Sequence, residues 1–196
     1  MDVTDQREFY RLPDNISVDY RLIPPSALLN SSPSDHFELP DSFHWLREVY
    51  ELEMEATELL RGIADKQRML GAFLHNLNRR MEILSRSAMA RDSGIPEVNQ
   101  ETYISEGGLS FLNGELVRED SRLALQLVFH PSLLGLTCFA EVRDCRLSED
   151  GGQYRVGVRF LDLDMTSQRL ISRHIIRRQS EERRKRLRQD KYDNFL

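Results

Sequence analysis

The sequence predicts an α+β protein: a small antiparallel β-barrel, interrupted by a long helical segment and followed by a second helix. Three observations carry that expectation. Stretches with apolar residues at every second position lie on both sides of the chain's middle. A proline-free run between Pro40 and Pro96 instead spaces its apolar residues by threes and fours. Turn signals then separate several short strand-like stretches, the pattern of a small barrel.

In chain order, Ile16, Val18, Tyr20 and Leu22 alternate with polar residues, as in a half-buried strand. Residues 24–42 hold four prolines and several serines and read as an irregular linker. Asp41 or Ser42 can cap a helix running from about residue 43 to 88, which would span roughly 70 Å. Its heptad places Leu46, Glu53, Leu60, Gln67, Leu74 and Met81 at a, and Val49, Ala56, Ile63, Leu70, Leu77 and Leu84 at d. Trp45, Leu52, Leu59 and Phe73 at g widen that seam. A lone helix of this length cannot bury such a face on a small barrel, so a coiled coil is expected. The partner is either a second helix of the same chain or another copy; self-association is the expected one, with a tetramer as the first choice.

Strand signals return at Tyr103–Leu112, and Asn113-Gly114 signals a type I′ hairpin. Leu123, Leu125, Leu127 and Phe129 alternate, as do Cys138, Ala140 and Val142, then Val156, Val158 and Phe160 after a turn at 149–152. From Thr166 to about Arg188 the chain reads as helix, with Leu170, Ile171, His174 and Ile175 on one apolar face. The expected division is 1–39 for the N-terminal arm and first strand and 40–95 for the helical insertion. The rest of the barrel with its helix takes 96–182, and 183–196 form a basic helical tail.

Composition excludes several classes of function. No apolar run approaches the ~18 residues of a membrane span, and the N-terminus lacks a signal-peptide core, so a cytoplasmic protein is expected. The net charge of −5 hides a basic segment, Arg169 to Lys191, on an otherwise acidic chain. That distribution argues against nucleic acid as a partner and leaves the tail open to an acidic protein or anionic surface. His36, His44, His75, His130 and His174 lack metal-ligand spacing, and Cys138 and Cys145 have no CxxC partner. No metal, catalytic residue or cofactor is expected, nor an enzyme.

Two short motifs remain. Arg7 and Arg11 stand four apart just before the first strand, and Ser105-Glu106-Gly107-Gly108 lies in "TYISEGGLSF". In this order, and with the later stretch "YRVGVRFLDLDMTSQRLISRHIIRRQ", they resemble the PilZ family. Its signature is RxxxR leading into a six-stranded barrel, followed by [Asp/Asn]-x-Ser-x-x-Gly. The resemblance covers roughly half the chain, and the intervening helical segment matches a subclass that oligomerises through such an insertion.

The resemblance implies a bacterial cyclic di-GMP receptor or adaptor for signal transduction, acting on a downstream protein partner. Arg7 and Arg11 would grip phosphate or guanine edges with their planar forks. Ser105 would offer a hydroxyl, and Gly108 a close backbone approach. Tyr103 departs from the family's Asp or Asn, which would accept from the guanine N1 and N2 hydrogens. Losing such a contact costs about 1–3 kcal/mol of affinity. The alternative is therefore a degenerate PilZ scaffold that oligomerises and binds protein partners with weak or no nucleotide binding.

Overall fold

A computed structural model describes residues 12–39, 41–89, 101–130, 134–148 and 151–193. Six strands close an antiparallel barrel: β1 (Leu12–Ile23), β2 (Glu101–Ser105), β3 (Gly108–Asn113), β4 (Arg122–His130), β5 (Leu134–Leu147) and β6 (Tyr154–Leu161). Around the barrel the order is β1-β2-β3-β6-β5-β4. Inward alternation fills it with Ile16, Ile104, Leu109, Phe111, Leu125, Phe129, Ala140 and Val158, all buried.

The strand-like stretch at Tyr103–Leu112 is two strands, not one. The tight hairpin sits at Glu106-Gly107, where Ser105 pairs with Gly108. Asn113-Gly114 makes no hairpin, because β3 and β4 are not neighbours. The chain there crosses the barrel end instead, with Val117 buried and the Asn113 amide donating to Tyr20 Oη at 2.9 Å. In β1 the expected alternation lapses at its end: Leu22 is exposed and Ile23 is buried on the other face.

The cause is the segment expected to be a linker. Helix α1 (Ala27–Asn30) and a 3-10 turn (Pro33–His36) form a packed strap, and Leu28 and Phe37 cover Ile23, Ala124 and Phe139 on the barrel's outside. Between this strap, β5 and the turn after β6 lies a cavity of about 500 Å³.

The insertion does lie between the first and second strands, but it is two helices, α2 (Asp41–Lys66) and α3 (Arg68–Met89). The chain bends sharply at Gln67. A Cβ on Gly71 would lie 2.6 Å from the Ala64 Cα, whereas a straight helix separates residues seven apart by about 10 Å. Phe43 and Tyr50 are buried against the barrel and both fall at heptad position e. The a, d and g stripe is left largely exposed, with Trp45, Leu52, Leu59, Leu70, Phe73, Leu77, Met81 and Leu84 all open to solvent. Val49, Leu60, Ile63 and Leu74 are half-buried, and the Leu46 side chain lies outside the described ones.

A single helix, α4 (Met165–Asp193), ends the described chain. Asp164 caps it, accepting from the Ser167 N–H at 2.9 Å and its hydroxyl at 2.5 Å. Leu170, Ile171, His174 and Ile175 are buried on the barrel, the face its periodicity marks. Among the described residues no helix is long and apolar enough to cross a membrane, and no side-chain cluster could hold a metal ion.

Candidate functional site

The β2–β3 turn is built from close contacts that only small residues permit. The Ser105 hydroxyl donates to the Gly108 carbonyl at 3.1 Å, and the Phe160 N–H donates to the Gly107 carbonyl at 2.9 Å. A Cβ on Gly108 would lie 2.0 Å from the Val158 carbonyl oxygen, so the absent side chain serves the approach of β6. Tyr103 is half-buried on the same outer face as Ser105, and the Arg155 guanidinium lies 5.1 Å from its ring centroid.

The first strand reaches this turn directly. β1 pairs with β2 so that Leu12 is opposite Ile104, the residue before Ser105. Arg7 and Arg11 lie outside the described residues.

What holds the start of β1 is a buried charge cluster. Asp14 is fully enclosed; its carboxylate accepts from His174 Nε2 at 2.5 Å and lies 2.9 Å from Arg178 Nε. The Thr102 hydroxyl donates to the Asp14 carbonyl at 2.5 Å and accepts the Ile16 N–H at 3.2 Å. The His174 ring packs edge-on against Phe129, with centroids 4.8 Å apart. Helix α4 is thereby fixed to the strand that follows the two arginines. Sequence reasoning places His174 on the correct face but misses its partner, because Asp14 is 160 residues away.

A second cluster that periodicity does not reveal lies on the outer face of β4, β5 and β6. Glu141 is almost enclosed and contacts Arg122, Arg143 and Arg159 at 2.6, 3.1 and 2.8 Å.

The sequence profile of the PilZ domain matches residues 78–177, half of the chain. The chain belongs to the PilZ domain family.

A solved PilZ-domain structure has a similar fold. A tetrameric PilZ-domain protein from Xanthomonas campestris, described as self-assembled via an unusual helical bundle, is similar over 89% of this chain and 89% of its own. Its TM-score is 0.52 at 14% identity, a likeness of fold that extends through the helical insertion. The PilZ domain of YcgR from Escherichia coli, described with c-di-GMP, matches 44% of this chain and 75% of its own, with TM-score 0.36 and 19% identity. The Bacillus subtilis motility inhibitor MotI/DgrA matches 43% of each chain, with TM-score 0.38 and 18% identity. No curated protein matches the chain.

Proposed function

We propose that this PilZ protein is a cytoplasmic cyclic di-GMP-binding signalling adaptor, without catalytic activity, that self-associates through α2 and α3. The observation that carries the ligand reading is the pairing of Leu12 with Ile104. It sets Leu12, the residue after Arg11 in the chain, beside the strand that leads into the Ser105–Gly108 turn, which supports a site shared by the two motifs. In this reading Arg7 and Arg11 hold the ligand's phosphates and guanines, and ligand binding changes the surface the oligomer shows to a downstream protein. The open a, d and g positions support self-association, because α2 meets the barrel core through Tyr50 and Met54 instead. A tetramer is the expected state.

Isothermal titration tests the sensor role. Heat saturating at micromolar cyclic di-GMP, abolished in an Arg7→Ala/Arg11→Ala double variant, is expected. No heat at several hundred micromolar ligand removes the role.

Two observations favour the second reading, a scaffold blind to nucleotide. The Ser105 hydroxyl is already bonded within its own turn, and Tyr103 offers a covered ring where an acceptor is needed. If the wild type is silent but Tyr103→Asp binds through Arg7 and Arg11, the scaffold reading wins.

A further inference from the structure

The strand register lines up a polar row across five strands. Arg122 pairs with Glu141, Glu141 with Arg159, Arg159 with Gly108, and Gly108 with Ser105. Paired residues in an antiparallel sheet point to one side. Their chain neighbours Leu123, Ala140, Val158, Leu109 and Ile104 are buried inside, so the row faces outward. Two strand spacings, roughly 10 Å, separate Arg159 from Ser105 along it.

At the row's far end three guanidiniums share one carboxylate. Oε1 of Glu141 takes Arg122, and Oε2 takes both Arg143 and Arg159. One negative charge leaves two positive charges of the cluster unbalanced. Arg143 and Arg159 keep 52% and 54% of their side chains exposed, and each guanidinium has donors beyond those spent on Glu141. Burial pushes the Glu141 carboxyl up, but the Arg159 hydrogen bond and the three guanidinium charges outweigh it and hold it below the usual range. The carboxylate therefore stays ionised at neutral pH and keeps the forks in place. A β-bulge between Val142 and Asp144 leaves Arg143 as the extra residue of β5, beside Glu141 rather than opposite a residue of β6.

We propose that Arg159 and Arg143, oriented by Glu141, form an anion subsite for a phosphodiester of the cyclic dinucleotide, continuing the Ser105–Gly108 turn across β6. The inference rests on the ligand reading given above. A phosphodiester fits better than an acidic peptide because the row is continuous with that turn. The planar fork also matches a phosphate's paired oxygens. Tyr103 supplies no carboxylate or amide acceptor for a guanine edge, which shifts recognition toward the phosphates.

The test is titration of cyclic di-GMP into the full chain and into Arg159→Ala, Arg143→Ala and Arg61→Ala, the last on the exposed surface of α2. Affinity should fall about tenfold or more for the first two and stay unchanged for the third. Arg159→Lys should recover part of the loss. The dependence of Kd on salt should become shallower in Arg159→Ala, which a merely structural role would not produce. Thermal melting identifies any variant that fails to fold. If the wild type binds and both β-strand variants bind equally well, the subsite is overturned while the receptor reading stands. If the wild type gives no heat, the receptor reading fails and the subsite falls with it.

Discussion

Asp14 shows how one residue ties a remote helix to the start of a strand. Its carboxylate is wholly enclosed, so removing the charge takes this partner from buried His174, while Arg178 keeps Glu181. Breaking a buried ion cluster from one side typically costs about 3–5 kcal/mol. Asp14→Ala should therefore lower the unfolding free energy by about that amount in urea titration, and a change below about 1 kcal/mol would refute the clamp. Cys138 makes a second residue-level prediction. Burial pushes its thiol far up, so it stays protonated inside the barrel. In the native protein a thiol reagent should reach half-buried Cys145 first and Cys138 only at the rate of unfolding, as peptide mass mapping would show. Equal rates would mean that the barrel interior is open.

Helix α2 presents one face to the barrel, and much apolar surface of α2 and α3 lies open to water. Phe43 and Tyr50 at position e anchor α2, while Leu70, Leu77, Met81 and Leu84 of the heptad seam stay exposed. Exposed apolar residues on both helices favour association with further copies in water. Light scattering should return a multiple of 22.9 kDa. Leu70→Asp with Leu77→Asp should reduce it to the monomer, leaving the barrel's far-UV signature intact. A monomeric wild type ends the coiled-coil reading.

For the molecule as a whole, acid should loosen the fold in two steps. Burial lowers the His130 imidazole, opposed by the Asp14 charge, so near its ordinary value of about 6.5 the unfolded chain binds a proton the folded one does not. Stability attached to His130 is complete above that value and lost as pH falls below it. Glu141, also lowered, contributes stability above the ordinary carboxylate range and loses it as pH falls further through its folded value. Melting temperature should thus decline from pH 7 to 5, and His130→Gln should flatten that first decline. An unchanged slope in that variant would show that another group carries it.

Much of the architecture is local and therefore readable from neighbouring residues. Alternation marks β4, β5 and β6, heptads mark the insertion, and the apolar face of α4 follows from a 3.6-residue period. The sequence by itself also placed Ser105 and Gly108 in a strand-like segment and Arg7 and Arg11 just before another. Which strands adjoin is not a local property. The Glu106-Gly107 hairpin, the crossing after Asn113, the sharp bend at Gln67 with Gly71 against Ala64, and the strap over Ile23 were decided by packing. So were the meeting of Asp14 with His174 and Arg178 and the gathering of three arginines on Glu141. Periodicity determines which face of an element is apolar. Tertiary structure determines what lies opposite, because that depends on closing the barrel among residues distant in the chain.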